Sequence, residues 1–282
     1  MFEAGLVLEG GGMKGVFTAG VLDFFLDKGI EFKNIYGVSA GACTMSSYVS
    51  KQRGRALETM TDYLGSKRYM GAYSLLTTGD IFGVDFSYDL VPNYLNPFDY
   101  ETFKKYEGNA YAVVTNIVTG EAEYIKLKDM ETDVEYVRAS SSLPLVSRNV
   151  EINGNKYLDG GMADSIPIRK SEADGNVKNI VVMTKPVGYR REKEKALAAF
   201  KARYIKYPKV YELMKNRHIV YNETVDYIEK QAREKKLILL RPLDDIYIDR
   251  LEKDSDKLTA LYNEGYKEAE QRYDEIMEYL NK

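Results

Sequence analysis

The chain has 282 residues, of which 44% are hydrophobic, and a formal net charge of −3 at pH 7. This length and composition can support one substantial core, and the near-balanced charge argues against a nucleic-acid binder or a disordered acidic protein. The single cysteine, Cys43, cannot form an intramolecular disulfide, and no Cys/His cluster has zinc-ligand spacing. We therefore expect one domain in a reducing compartment, without structural zinc.

The amino-terminal residues MFEAGLVLEGGG predict a strand and a glycine loop at the place where a signal peptide would carry a basic and then an apolar region. No apolar run approaches the roughly 20 residues that a membrane-spanning helix needs. We therefore expect a cytoplasmic protein, in which any membrane contact is peripheral, at the inner membrane face.

The first fifty residues predict a βαβ unit. Apolar residues 5–8 form a strand that stops at a glycine cluster, and residues 16–29 have helical spacing and end in Gly29. Residues 35–38 form a second strand, and the small residues that follow predict a sharp strand-to-helix turn. Both glycine turns then lie at the carboxyl ends of strands, on one edge of the sheet.

The rest of the chain continues to alternate strands and helices, which predicts a layered α/β domain. Strands are expected at 111–117, 119–127, 179–186 and 237–242, a hairpin over 150–161 with its turn at Asn153-Gly154, and helices over 192–235 and 256–280. No repeat or low-complexity linker marks a boundary. We expect residues 1–185 to form the catalytic core and 186–282 a helical extension with one late strand, packed on the same domain, in which 186–235 forms either a lid or an added layer.

Gly37-Val38-Ser39-Ala40-Gly41 matches the G-x-S-x-G nucleophile elbow, in which small flanking residues allow a strained turn that presents the serine hydroxyl. Ser39 would lie at a helix amino terminus, where the helix dipole favours developing negative charge. Taken alone, the pattern fits a structural turn equally well, so a partner motif is needed.

Gly10, Gly11 and Gly12 provide that partner, because consecutive glycines can point backbone N–H groups at an oxyanion. Lys14 either supports this loop electrostatically or is a solvated lysine of the first helical turn. Gly10, Gly12 and Gly15 also fit the dinucleotide fingerprint G-x-G-x-x-G, although the second strand lacks the acidic residue that a dinucleotide site uses. A Walker A loop is excluded, since Gly15 follows Lys14 where Ser or Thr is required.

A serine nucleophile needs a base, and His218 is the single histidine. It lies in a charged helical stretch, whereas a triad histidine usually follows a strand, so we disfavour it. Asp159 ends a predicted strand and precedes Gly160-Gly161, and a desolvated carboxylate can deprotonate serine directly. The competing interpretation is a turn aspartate bonded to its own backbone.

In this order along the chain, Gly10 to Gly15, GVSAG around Ser39 and DGG at Asp159 resemble the motifs of the patatin-like phospholipase family. The segment 139–161 is similar to the family's Ala-Ser…Pro segment, so the resemblance covers about residues 5–168. Residues 204–222 and 239–269 resemble a bacterial subgroup of uncharacterised patatin-like proteins, which is less informative about substrate.

The resemblance implies a three-layer α/β/α fold with a mostly parallel sheet, and metal-free and cofactor-free hydrolysis of lipid acyl esters of the phospholipase A or lysophospholipase type. Ser39 is then the nucleophile and Asp159 the base, while the Gly10, Gly11 and Gly12 amides form the oxyanion hole. The family often has Asn two residues before a proline after Asp-Gly-Gly, whereas this chain has Ser165, so packing beside Asp159 is expected to differ.

Residues 185–217 contain eleven Lys or Arg and three Glu, interleaved with Tyr189, Phe200, Tyr204, Tyr207 and Tyr211. This stretch predicts either an interfacial surface for anionic headgroups or a solvated helical face with core tyrosines. No nucleic-acid motif accompanies it. The alternatives to a phospholipase are a small-ester carboxylesterase, an acyltransferase with the same dyad, a nucleotide-binding protein and a catalytically inactive lipid-binding module.

Overall fold

A single eight-stranded sheet runs through the protein in the computed structural model, which describes residues 1–243 and 248–282. Residues 244–247, part of the 239–269 segment that resembles a bacterial subgroup, lie outside the described residues. The strands of the sheet are β1 Phe2–Leu8, β2 Phe32–Val38, β3 Asn109–Asn116, β4 Ala122–Leu127, β5 Val150–Ile152, β6 Asn155–Asp159, β7 Asn179–Val182 and β8 Ile238–Leu240.

The sheet is parallel at one end and antiparallel at the other. Its order is β5-β6-β3-β2-β1-β7-β8, with β4 paired to β3. The pairs among β3, β2, β1, β7 and β8 are parallel, whereas β4 and β6 pair antiparallel to β3, and β5 pairs antiparallel to β6. The carboxyl ends of β1 and β2 therefore lie side by side, as the sequence predicted.

Helices cover both faces of the sheet, which gives a three-layer α/β/α fold, as the resemblance implied. The helices are α1 Gly15–Asp27, α2 Ala40–Val49, α3 Arg55–Thr61, α4 Ala72–Thr78, α5 Tyr100–Lys104, α6 Met130–Ser140, α7 Ile168–Ala173, α8 Leu197–Arg203, α9 Pro208–Arg233, α10 Ser255–Gln271 and α11 Tyr273–Asn281. A π-helical segment, Phe86–Leu95, also contains Pro92.

Strand β1 shows how the two faces are filled. Leu6 and Leu8 point into the larger core, together with α1, α2 and α10, while Val7 points into a second core that includes Tyr221 of α9. Burial on both faces is typical of a parallel sheet and explains the continuous apolar run in β1. None of the helices within the described residues is long and apolar enough to cross a lipid bilayer.

Two predicted helices are interrupted. The segment 192–235 contains α8 and α9, and α9 begins at Pro208. The fixed φ of proline suits a first helical position, whereas its missing N–H and its ring do not fit a helix interior. The predicted terminal helix is divided at Arg272 into α10 and α11. Arg272 donates a 2.6 Å hydrogen bond to the carbonyl oxygen of Leu239 and pairs with Glu275, so the break is tied to β8.

Candidate active site

Ser39 lies at the sharp turn between β2 and α2. Its φ of 54° and ψ of −120° are strained for a non-glycine residue, and its side chain is largely buried. The turn needs small neighbours, because a Cβ on Gly37 would come within 2.7 Å of the Ala42 Cα and one on Gly41 within 2.6 Å of the Leu8 carbonyl oxygen. The G-x-S-x-G spacing therefore has a steric origin in this chain.

Strand pairing brings Asp159 to the same place. Val38, the last residue of β2, pairs with Val113 of β3, and Asp159, the last residue of β6, pairs with Val114. Strand β4 occupies the other edge of β3 over the same residues, so β2 and β6 meet end to end along one edge. Ser39 follows directly after Val38 and lines the same cavity as Asp159.

Asp159 is almost fully buried, at 3% exposure. One carboxylate oxygen, Oδ1, accepts a 2.7 Å hydrogen bond from the backbone N–H of Gly161. Its backbone is held as well, because its N–H donates to the Ser142 carbonyl oxygen and its carbonyl accepts from the Thr115 hydroxyl. The turn hydrogen bond that would explain an isolated Asp-Gly-Gly is thus present, but the carboxylate also lines the cavity beside Ser39.

The glycine loop after β1 packs directly on Ser39. A Cβ on Gly10 would lie 2.9 Å from the Ser39 Cβ, and one on Gly11 would lie 2.5 Å from the Thr184 Oγ1. The hydrogen bonds of the described residues include none donated by the N–H groups of Gly10, Gly11 or Gly12. In contrast, the N–H of Ser39 donates to the Ser140 hydroxyl at 2.8 Å. The loop therefore has backbone donors available next to the serine.

A buried network fixes this loop. The Glu9 carboxylate accepts from the Tyr221 hydroxyl at 2.7 Å and from the Thr184 N–H at 2.7 Å. The Thr184 hydroxyl lies 2.9 Å from the Gly10 carbonyl oxygen. Because Tyr221 belongs to α9, the helical region beyond the predicted core takes part in holding the glycine loop.

The turn Gly12–Lys14, which follows the glycine loop, argues against dinucleotide binding. The N–H of Met13 donates to the Arg250 carbonyl oxygen at 3.0 Å, and a Cβ on Gly12 would approach that oxygen to 2.5 Å. A dinucleotide site would offer such helix amino-terminal donors to a pyrophosphate. In this protein the Arg250 carbonyl oxygen accepts the Met13 N–H, so it occupies the position that a pyrophosphate would need. Lys14 lies half-buried on the same turn, and burial lowers its pKa.

A largely apolar cavity opens on one side of Ser39, with a volume of about 170 Å³. It is lined by α2, which follows the predicted elbow, and by α3, the π-helical segment and α6, for which no function was predicted from the sequence. The apolar lining includes Met13, Ala56, Met60, Tyr69, Phe82, Val91, Phe98, Val134 and Val137. Cys43 also lines it, and burial raises the pKa of this thiol, so a competing thiolate nucleophile is disfavoured.

A smaller polar cavity, about 30 Å³ in volume, lies on the other side and shares Gly12, Ser39 and Leu143 with the apolar one. Besides Asp159 and the glycine loop, it is lined by four basic residues, Lys185, Arg191, Arg217 and Arg250. Lys185, Arg191 and Arg217 belong to the basic stretch 185–217, which was predicted to form a surface and not a cavity. No feature of the sequence predicted a role for Arg250. His218 lines neither of these two cavities.

The basic segment divides into buried and exposed parts. Phe200 and Tyr204 are buried with Val210 and Met214 in a small core, as the core interpretation of these aromatic residues predicts.

Ser165, which replaces the family's asparagine, donates a 2.7 Å hydrogen bond from its hydroxyl to the Gly161 carbonyl oxygen and lines the polar cavity. Ser165 therefore supports the Asp-Gly-Gly turn.

Sequence comparison is consistent with this geometry. Residues 6–170 match the model of the family described as patatin-like phospholipase, and residues 207–281 match a domain of unknown function, DUF6363. The uncharacterized protein YjjU of Escherichia coli is 29% identical over 185 residues, which cover 64% of this chain and 52% of YjjU. The uncharacterized protein YqhO of Bacillus subtilis is 24% identical over 94% of this chain and 96% of its own length.

Lysophospholipase NTE1 of Saccharomyces cerevisiae is 27% identical over 61% of this chain, but the match covers 10% of NTE1. The chain thus spans about half the length of YjjU and a small part of NTE1. The family model itself covers more than half of the chain. The chain therefore belongs to the patatin-like phospholipase family.

Proposed function

We propose that this protein is a serine acyl-ester hydrolase that acts on lipid acyl esters, with Ser39 as nucleophile and Asp159 as base. The observation that carries the proposal is the junction of β2 and β6 on β3, which leaves Ser39 and Asp159 facing one cavity. Membership of the patatin-like phospholipase family and similarity to a lysophospholipase support the lipid substrate class.

The chemistry follows in two steps. Asp159 accepts the Ser39 hydroxyl proton as Oγ attacks the ester carbonyl, and the tetrahedral oxyanion is stabilised by N–H groups of Gly10, Gly11 and Gly12. The intermediate expels the alcohol, which takes the proton back from Asp159. In the second step Asp159 accepts a proton from water, the hydroxide attacks the acyl-serine, and the carboxylic acid leaves as Ser39 regains its proton. Lys14 would stabilise the loop electrostatically.

The apolar cavity supports the proposal that the acyl chain of the substrate binds there, next to the ester carbonyl that Ser39 attacks. It begins at Ser39 and is lined by aliphatic and aromatic side chains, which is typical of a site for apolar ligands. The exposed basic side chains of 185–217, including Lys201 and Lys206, would then contribute to peripheral membrane contact. Within this proposal, residues 186–282 are a helical extension packed on the catalytic core 1–185, and the protein is cytoplasmic.

The test compares wild type, Ser39→Ala and Asp159→Asn on a short-chain p-nitrophenyl ester and on mixed phospholipid vesicles, with EDTA present. We expect turnover by wild type and background rates for both variants, with circular dichroism showing that they fold. A fluorophosphonate should label wild type but not Ser39→Ala. Activity that survives in Ser39→Ala would exclude Ser39 as the nucleophile. Product analysis separates hydrolysis from acyl transfer, and the preferred substrate separates a lipase from a small-ester carboxylesterase.

A further inference from the structure

The polar cavity beside Ser39 carries more positive charge than the proposed hydrolysis requires. Its four basic side chains face two carboxylates, those of Glu9 and Asp159. Both carboxylates already have partners in the protein, since Glu9 accepts from Tyr221 and Thr184, and Asp159 accepts from Gly161. The basic side chains are therefore concentrated here without an equal number of acidic groups in the lining.

Arg217 lines this cavity from α9. A Cβ on Gly161 would lie 3.1 Å from the Arg217 Nη2 and 3.0 Å from the Asp159 Oδ1, so the guanidinium lies close to the base proposed above. The Arg217 Nε is buried, and no hydrogen-bond partner for it occurs among residues 1–243 and 248–282. A buried guanidinium nitrogen without an acceptor is costly unless a ligand supplies one.

Arg191 is held in place from the same helix. The Asn222 side chain accepts a 2.8 Å hydrogen bond from the Arg191 N–H and donates one of 3.1 Å to the Arg191 carbonyl oxygen. The guanidinium carbon lies 4.5 Å from the centre of the Tyr221 ring, over its face. Its Nε is also buried and lacks a partner in the described part of the chain. Arg191 is thus pre-positioned rather than extended into solvent.

Lys185 completes the cluster just after β7. Its side chain is 7% exposed, and its Nζ lies 3.3 Å from the Thr184 hydroxyl. Burial lowers the pKa of Lys185 to about 8. The Glu9 carboxylate acts in the opposite direction, and the positive charges of Lys14, Arg250 and Arg191 lower the pKa further. Burial and the neighbouring Arg191 likewise lower the pKa of Arg217 to about 9. Mutual repulsion of this kind is relieved when an anion binds between the cations.

We propose that Arg217, Arg191 and Lys185 form a subsite for a phosphate group on the alcohol side of the scissile ester. The inference rests on the proposed function, because the subsite is defined relative to Ser39. The apolar and polar cavities meet at Ser39, so an ester bound there has its acyl chain on one side and its alcohol portion among the basic residues. Guanidinium groups match phosphate oxygens in bidentate geometry, which favours this ligand class.

The small volume of the polar cavity restricts the substrate further. Because Ser39 and Arg217 line the same small cavity, a phosphate bound at Arg217 lies only a few bonds from the ester, as in a monoacylglycerol phosphate. The bound phosphate comes either from a lipid headgroup or from free inorganic phosphate that regulates the site. The contiguity of the two cavities favours the headgroup, and the two sources predict different binding results.

Binding is measured in the Ser39→Ala background, so that turnover does not interfere. The ligands are a short-chain monoacylglycerol phosphate, the neutral monoacylglycerol with the same acyl chain, and inorganic phosphate, each followed by calorimetry. We expect the phosphate ester to bind at least about tenfold more tightly than the neutral ester, as expected for charge-assisted hydrogen bonds. Inorganic phosphate should bind more weakly than the phosphate ester, because it leaves the apolar cavity empty.

Arg217→Gln and Arg191→Gln should each remove most of this preference, whereas Arg217→Lys should keep part of it because the charge remains. Arg233→Gln is the matched control, since Arg233 is exposed at the far end of the same helix and lines neither cavity. Circular dichroism identifies any variant that does not fold, and the two Gln variants make independent tests.

Equal affinity for the phosphate and neutral esters, without binding of inorganic phosphate, would overturn the proposal. So would a preference that persists in folded Arg217→Gln and Arg191→Gln. If inorganic phosphate binds as tightly as the phosphate ester and loses affinity in the same variants, the subsite stands and its ligand is free phosphate. Hydrolysis by wild type is measured separately, so a phosphate preference without turnover would refute the hydrolase proposal and leave the subsite intact.

Discussion

Val38 and Asp159 pair with consecutive residues of β3, Val113 and Val114, although they belong to strands that run in opposite directions. The two strands end against each other, so the residue after Val38 and the carboxylate of Asp159 face a common space. This arrangement fixes the relative position of the proposed nucleophile and base through backbone hydrogen bonds rather than through flexible side chains. Sites built on regular elements are held more accurately than sites on loops.

The first prediction concerns the contact between the glycine loop and the serine. Gly10→Ala should lower kcat/KM for an ester by at least about a hundredfold, because the new methyl group would displace Ser39 or the loop donors by a fraction of an ångström. Gly65→Ala is the control, since a Cβ there meets no atom within 4 Å and the backbone φ is ordinary. Equal activity of the two variants would mean that this contact does not position the serine.

The second prediction concerns the apolar cavity. Ala56→Leu should reduce the ratio of kcat/KM for long-chain to short-chain p-nitrophenyl esters by about tenfold, because the larger side chain fills the space proposed for the acyl chain. Ala198→Leu adds the same group at an exposed position of α8 and should leave the ratio unchanged. An unchanged ratio in folded Ala56→Leu would argue that the acyl chain binds elsewhere.

The third prediction concerns Asp80, which lies two residues before Phe82 in the wall of the apolar cavity and pairs with Arg148. Asp80 is buried and accepts hydrogen bonds from the N–H and Nε of Arg148, both at 2.8 Å. Asp80→Asn should lower the free energy of unfolding by roughly 1–2 kcal/mol, because it removes the negative charge that pairs with Arg148, whose side chain is 57% exposed. Urea denaturation measures the change. Glu192→Gln, which affects an exposed ion pair with Lys195, should change stability by less than about 0.5 kcal/mol.

The fourth prediction concerns the cost of the buried lysine. The pKa of Lys185 is about 8 in the folded protein, below its ordinary value of 10.5, so the folded state disfavours the charged form. Below pH 8 Lys185 is charged in both the folded and the unfolded state, so its full penalty lowers the free energy of unfolding. Between pH 8 and 10.5 the folded protein loses this proton before the unfolded chain does, so the penalty declines as pH rises.

Lys185→Met should therefore raise the free energy of unfolding at pH 7 by roughly 1–3 kcal/mol, and this gain should shrink as pH rises through the window. Denaturation at a series of pH values measures it, with Lys201→Met at an exposed site as the control. A gain that is constant with pH would show that Lys185 is not the titrating group. The same variant should weaken binding of the phosphate ester, so stability and binding would change in opposite directions.

Much of this architecture could be predicted from sequence because it depends on local signals. The strand-to-helix turns at Gly10 and Ser39 and the hairpin at Asn153-Gly154 combine apolar runs with residues that tolerate special backbone angles, and Asn153 and Gly154 do adopt positive φ values. The roles of Ser39 and Asp159 remain predictions, although the structure brings the two residues to one cavity.

The basic cluster and the apolar cavity could not be predicted in this way, because they are assembled from distant segments. Arg217 and Arg250 come from the region after β7, and only tertiary packing directs them towards Gly161 and Gly12. Residues 50–108 have short helices and a π-helical segment without strong periodicity, so their contribution to the cavity wall was missed. Arg272 likewise divides the terminal helix through a contact with β8, which no local pattern reveals.

The pairing of β1 with β7 has a practical consequence for anyone who trims this protein. The family match ends at residue 170, whereas β7, the neighbour of β1, spans Asn179–Val182. A fragment that stopped at the end of the match would leave one edge of β1 unpaired, with the apolar residues Leu6, Val7 and Leu8 along it. Such an open edge can recruit strands from other molecules, so the fragment would be prone to aggregate, and the end of the family match is a poor place to cut.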